Sequence, residues 1–226
     1  MSRTVLLVSW LALVSGLGGT ASVAAEPSPR TRPLRDVVVT YRMEGEALAL
    51  IPGGVQGPVR LSWDAAGQRV RAEAEGRSQV ALLDLKSHGG QAFDTALRLV
   101  LPLPLREKDF QPLAMEGLHL SPKGRETVAG LACNSYGFET AKGPGTVCLT
   151  VDGVPLRGQG MVDGKPGAFT ALSVSYGRLP PTLFEVPAGY IALGGSGPGQ
   201  NPGGLAGLAQ RFGGASGLRN MLGLPR

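Results

Sequence analysis

Helix breakers are spread so densely along this chain that a helical bundle is excluded from the start. Glycine occurs 35 times and proline 18 times in 226 residues, about twice their usual combined share of roughly 12%. A Gly in a helix interior costs about 1 kcal/mol relative to Ala, and a Pro about 3 kcal/mol. The glycines follow no three-residue period, so a collagen-like rod is excluded too. Hydrophobic residues make up 42% of the chain, too many for a polymer disordered throughout. What remains is a β-rich domain with many tight turns.

The two ends differ from the middle. Arg3 is followed by an apolar run over 5–14 and then by small residues closing on Val23-Ala24-Ala25. A positive start, an apolar centre and small residues at −3 and −1 form the pattern of a secretory signal peptide. Residues 1–25 are therefore expected to be removed by cleavage near Ala25, with the protein exported to the bacterial periplasm. No Cys follows the apolar run, so no acylation of the new N-terminus is expected. Residues 26–35 read as a flexible leader, and 36–193 as one β-rich domain.

From 194 onward, 11 of 33 residues are Gly and none is Asp or Glu. That composition predicts a disordered, Gly-rich tail. Leu205, Leu208 and Phe212 have helical spacing, as do Leu218, Met221 and Leu222, but each piece is too short to hold a helix alone. Arg211, Phe212, Arg219, Met221 and Leu222 are the candidate contacts with an anionic membrane surface or an envelope protein.

Export sets the context for the only two cysteines, Cys133 and Cys148. An even count in an exported chain favours one disulfide. Lys142-Gly143-Pro144-Gly145 is a turn signal, and a hairpin centred near Thr140 and Ala141 would set the two cysteines opposite one another. Two thiols without a nearby His or third Cys make a poor zinc site, and no cofactor or metal is expected. Net charge is +5, but the cations are scattered and aromatics few, so nucleic-acid binding has no support.

Within the body, 36–43 is a β-branched run, while 59–63 and 68–74 alternate apolar and polar residues around the turn Asp64-Ala65-Ala66-Gly67. Residues 80–85 and 96–101 read as further strands, with His88-Gly89-Gly90 as a turn. Pro102 and Pro104 exclude a mid-sheet position. Residues 106–116 are the place for a short helix or crossing loop. Short strands are expected at 118–120 and 126–128, then the cysteine hairpin. Asp152-Gly153 and Asp163-Gly164 are strong turn signals. A strand over 168–176 would put Phe169, Ala171, Ser173 and Ser175 on one face.

Catalytic patterns are missing. His88 and His119 are the only histidines, and no Gly-x-Ser-x-Gly, His-Glu-x-x-His or P-loop spacing occurs. Glu44 and Glu46 alternate onto one face as a solvated pair, without the sugar platform a glycosidase needs. No catalytic residue is assigned, and the chain is read as a non-enzyme.

One stretch carries a further signal. Gly130-Leu131-Ala132-Cys133, Tyr136, Cys148-Leu149-Thr150-Val151-Asp152-Gly153-Val154-Pro155-Leu156-Arg157, then Ala171 to Gly177, then Phe184-Glu185-Val186-Pro187-Ala188-Gly189-Tyr190 follow in a recognisable order. This order resembles exported bacterial proteins of a domain of unknown function (DUF4412-like), related to the LolA/LolB superfamily of periplasmic lipoprotein carriers. The resemblance implies a curved antiparallel sheet, an incomplete β-barrel with a short helical or loop lid, whose concave face takes acyl chains. No ligand-binding position is carried across from the family; the apolar strand residues Leu61, Val70, Leu82, Leu99, Leu149, Phe169 and Val174 either pack an ordinary core or are the candidates to face a hydrophobic ligand. The expected function is non-enzymatic binding of a lipid or acyl chain. The alternative is an envelope scaffold or partner-binding module acting through the basic tail.

Overall fold

A computed structural model of the chain describes residues 28–50, 57–103, 115 and 117–192. The expected signal peptide over 1–25, residues 106–116 other than 115, and the candidate tail contacts Arg211, Phe212, Arg219, Met221 and Leu222 lie outside the described residues. Twelve strands follow one another: β1 (Val37–Glu44), β2 (Val59–Asp64), β3 (Arg69–Ala74), β4 (Gln79–Asp84), β5 (Gly89–Asp94) and β6 (Leu99–Pro102), then β7 (Ser121–Val128), β8 (Leu131–Thr140), β9 (Gly143–Leu149), β10 (Pro155–Val162), β11 (Lys165–Tyr176) and β12 (Ile191–Ala192). Two 3₁₀ turns, Glu46–Leu50 and Pro181–Phe184, are the helical elements among the described residues.

The strands make one sheet in the order β12-β6-β5-β4-β3-β2-β1-β11-β10-β9-β8-β7. Two antiparallel meanders meet where β1 pairs with β11, and β12 alone runs parallel to its neighbour. The ends, β12 and β7, do not pair, so the curved sheet stays open rather than closing into a barrel.

Local chemistry explains the first meander. Strands β2 to β6 begin at 59, 69, 79, 89 and 99, a ten-residue period of strand and turn. Asp64 Oδ1 accepts the Gly67 N–H at 2.7 Å, and Asp84 Oδ1 accepts Lys86 and Ser87 at 2.9 and 3.0 Å. Asp94 Oδ1 accepts Ala96 and Leu97, both at 2.9 Å. Each is an Asp side chain folding its own turn. The turns close with Gln68, His88 and Arg98 at φ 54°, 51° and 54°.

Several sequence expectations need correction. Gly89 and Gly90 open β5 rather than forming a turn, and Ala96 lies in the next turn. Here Asp84 and the left-handed His88 turn the chain, so the glycines are free to pair with Asp84 and Leu83. Residues 118–120 are not a strand, and 126–128 is the end of the eight-residue β7. Strand β7 carries Pro122 because it is an edge, where a missing N–H costs no ladder bond. The two-residue Asp163-Gly164 loop joins β10 to β11 with φ 48° and 79°, as its sequence signal predicts.

The disulfide forms, Cys133 to Cys148, with Cα atoms 5.5 Å apart. It bridges β8 and β9 on a diagonal, because Ser135 is the residue opposite Cys148. The turn Ala141-Lys142 fixes that register, and right-handed strand twist brings one diagonal of a hairpin close.

The largest core cluster contains Val37, Val39, Tyr41, Trp63, Val70, Leu156 and both cysteines. A second, Val80, Leu82 and Phe93, lies on the opposite face of β4 and β5. The segment from Gly177 to β12 seals it. Tyr190 meets Phe93 edge-on at 5.4 Å, and Arg71 Nη1 donates to the Leu183 carbonyl at 3.0 Å. The Arg69 guanidinium lies 5.1 Å from the Phe184 ring centre. At the start of this strap, Asp36 accepts the Leu179 N–H at 3.0 Å with one oxygen and the Ala65 N–H at 3.0 Å with the other.

Candidate functional site: the inner face of the sheet

Direct cross-strand partners share a face. Starting from buried Val39, the register runs to Leu61, Ala72, Ala81, Ala92 and Leu101 across β1 to β6. All five after Val39 are apolar and half-buried. Three adjacent alanines make the middle of this row low. The row on one side is bulkier: Val37, Trp63, Val70 and Leu83, of which the first three are buried. The inner face of the first meander is thus a shallow apolar trough with a higher wall along one side.

On the other side of β1 the same face continues through β11. A plain alternation would put Phe169 and Val174 on opposite faces. A bulge changes this: Thr40 pairs with Ser173 and Tyr41 with Ala171, leaving Leu172 over. Phe169, Ala171, Val174 and Tyr176 therefore all face inward beside Met43, Tyr41, Val39 and Val37, while Ser173 and Ser175 face out. This corrects the expected grouping of Phe169 and Ala171 with the two serines.

Beyond β11 the inner floor is glycine. Gly158 lies opposite Phe169, and Gly145 opposite Phe138. A Cβ on Gly158 would stand 2.5 and 2.6 Å from the Phe169 ring, so the ring lies down on the bare backbone. Tyr41 holds that ring edge-on at 5.4 Å. Burial pushes the Tyr41 phenol well above its ordinary value, and its hydroxyl donates to the Pro155 carbonyl at 2.7 Å. Met115, Leu118 and Leu120, from the connection between β6 and β7, pack over Val147, Leu149, Tyr136, Phe138 and Phe169. These three residues cover this part of the inner face.

The seven candidate apolar positions fall as follows. Leu61, Val70, Leu99, Leu149, Phe169 and Val174 take the inner face by register. Leu82 takes the outer one, opposite Arg71, under the strap. Val70, Leu99 and Leu149 are fully buried, while Leu61, Phe169 and Val174 keep part of their surface. The alanines of the trough were not singled out from the sequence. Their signal was the ten-residue strand spacing, which sets 72, 81 and 92 in one row only once the turn lengths are known.

One end of the inner face is closed by a polar clasp. Asp152 accepts from Thr150 Oγ1 at 2.6 Å, Tyr176 Oη at 3.1 Å and Arg35 Nη2 at 3.0 Å. Leu34 N–H bonds the Asp152 carbonyl at 3.0 Å, so part of the expected flexible leader is tied to the fold. Burial raises the Asp152 pKa, but the three side-chain donors outweigh it and hold the carboxyl below its usual value. Burial and then the Asp152 charge push the Tyr176 phenol up. Among the described residues, no three His, Cys, Asp or Glu side chains gather into a metal-binding group.

No family model matches the chain, and no curated protein sequence matches it. Solved structures do. An uncharacterized conserved protein from Thermus thermophilus superposes with a TM-score of 0.49 at 12% identity, over 71% of this chain and 90% of that one. A LolA superfamily protein from Nitrosomonas europaea gives 0.35 at 9% identity, over 69% of this chain and 92% of that one. The Pseudomonas aeruginosa MucA/MucB complex gives 0.38 at 12% identity, over 68% of this chain and 56% of that one. At TM-scores below 0.5 these likenesses assign the chain no function.

Proposed function

We propose that this is a non-enzymatic envelope protein that holds an apolar ligand, a lipid or acyl chain, on the inner face of its open sheet. The observation that supports this is the half-buried row Leu61-Ala72-Ala81-Ala92-Leu101, which crosses five strands without a polar side chain. Apolar clefts of this kind suit ligands that bury most of their surface. The low alanine floor leaves depth for a single hydrocarbon chain, while Val70 and Trp63 wall one side. Export through a signal peptide cleaved near Ala25 fits the disulfide, which persists in an oxidising compartment. The sequence order over 130–190 supports a place beside the DUF4412-like and LolA/LolB carriers.

The test is lipid extraction and mass spectrometry on protein purified from the periplasm, with displacement of a fluorescent fatty acid. Co-purifying lipid and saturable displacement are expected, and Ala81→Trp should abolish both by filling the trough. Absence of lipid together with no fatty-acid binding would sink the proposal.

A second reading, a scaffold acting through residues 194–226, is supported by where the chain leaves the sheet. Ile191 and Ala192 pair with Leu99 and Val100 at the open edge, so the tail starts from an exposed strand. Loss of a membrane or protein partner on deleting 194–226, with no lipid bound by the domain, is the result that favours it.

A further inference from the structure

The trough and the tail meet at one edge of the sheet. The half-buried row ends on Leu101 of β6. Strand β12 runs parallel to β6, pairing Ile191 with Leu99 and Ala192 with Val100. The last described residue, Ala192, is thus level with Val100, one position before Leu101, where the row ends.

Beyond it, residues 194–204 are rich in Gly, Ser, Pro and Asn, and the next residues are Leu205, Leu208 and Phe212, then Leu218, Met221 and Leu222. Eleven residues span at most about 36–40 Å when extended, and roughly 17–20 Å on average as a Gly-rich coil. From β6 to β1 the trough crosses five inter-strand steps of about 4.8 Å each, about 24 Å in all. The linker can thus deliver the apolar pieces to any point on the trough. Each piece carries an apolar stripe at helical spacing that is too short to stand alone, and the trough is an apolar floor lacking large side chains.

We propose that residues 205–222 of the same chain lie in the trough as an intramolecular occupant, and that a lipid must displace them to enter. This rests on the reading of the inner face as a ligand site and adds a built-in competitor. Tethering gives the tail a high effective concentration without a new partner. A tail that holds the trough nine-tenths of the time lowers the apparent ligand affinity about tenfold.

The experiment keeps the chain at full length. One form carries the natural tail after signal removal; the other carries Leu205→Ser, Leu208→Ser, Phe212→Ser, Leu218→Ser, Met221→Ser and Leu222→Ser. The methyl NMR signals of Ala72, Ala81 and Ala92 and the affinity for a fluorescent fatty acid are measured on both. The expected result is that the three methyl signals move between the two forms, independently of protein concentration, and that the serine form binds the fatty acid about tenfold more tightly. Unmoved methyls with equal fatty-acid affinity overturn the inference and leave the ligand site standing. Moved methyls with no fatty-acid binding by either form sink the ligand site and retain the tail as occupant. A methyl shift that grows with protein concentration overturns the intramolecular form in favour of a second copy's tail. Unmoved methyls without any binding overturn both.

Discussion

Replacing Gly158 by Ala places a Cβ 2.5 Å from Phe169 Cε1 and 2.6 Å from Cζ, inside van der Waals contact. Something must shift. The ring is not free to swing, because Tyr41 packs edge-on against it at 5.4 Å and Tyr41 itself is anchored to the Pro155 carbonyl. Overpacking of this kind costs about 1–3 kcal/mol, and a disrupted aromatic pair about 0.5–1.5 kcal/mol. Against this, removing a glycine from a conformation that Ala accepts gains about 0.4–1 kcal/mol through the unfolded chain. Gly158 does not have a positive φ, so that gain applies. The net expectation is a loss of about 0.5–4 kcal/mol, centred near 2 kcal/mol. Gly160, two residues along the same strand, is the control: its nearest neighbour is 3.8 Å from the built Cβ, an ordinary contact. Gly160→Ala should be neutral or stabilising by up to about 1 kcal/mol. Urea unfolding measures both. With a slope of roughly 2 kcal/mol per M, Gly158→Ala should lower the midpoint by about 1 M at unchanged slope. Adding Phe169→Leu should recover part of the loss, because a smaller side chain yields the space. Equal midpoints for the two alanine variants, or a double variant no better than the sum of its parts, would refute the idea that Phe169 rests on bare backbone.

Four further outcomes follow from the geometry. Reducing the Cys133–Cys148 bridge, which closes a 15-residue separation, should cost about 3 kcal/mol, read as a drop in urea midpoint with reductant. Asp36→Ala leaves the Ala65 and Leu179 N–H groups without their acceptor and should cost about 1–3 kcal/mol in thermal unfolding, with faster amide exchange through 179–190. Asp152 has a folded pKa below its ordinary 3.8, so its contribution is present above that value and lost as pH falls through the folded pKa. Asp152→Asn should then flatten the stability profile below pH ~4, and identical slopes for variant and parent would refute the clasp. Ala129 sits at φ 50° beside Gly130 in the two-residue loop between β7 and β8, so Ala129→Asn should stabilise by about 1 kcal/mol in the same urea assay.

Much of the chain's local structure was legible without coordinates. Proline and glycine frequency excluded a helical bundle, Asp163-Gly164 marked its hairpin, and the two cysteines predicted their own bond. Strand β5 was not legible, because Gly89-Gly90-Gln91-Ala92 carries neither β-branched residues nor alternation. Its place in the sheet comes from pairing with β4 and β6 on both sides, a tertiary contribution that overrides weak strand propensity.

The site divides along the same line. By itself the sequence determined that this chain makes many short strands, where most of them turn, and which residues are apolar. Alternation within a strand says which residues share its face, but not which face of the sheet that becomes. Only the pairing decided that Val70 looks inward and Leu82 outward, since register joins them to opposite partners. Only the Thr40–Tyr41 bulge brought Phe169 and Val174 to one side. The alanine row exists because three six-residue strands and their four-residue turns repeat in step. The strap from Gly177 to Ala192 then sealed one face and left the other as a trough. These are long-range relations between segments that no local pattern encodes, and they follow from how the whole sheet buries its apolar surface.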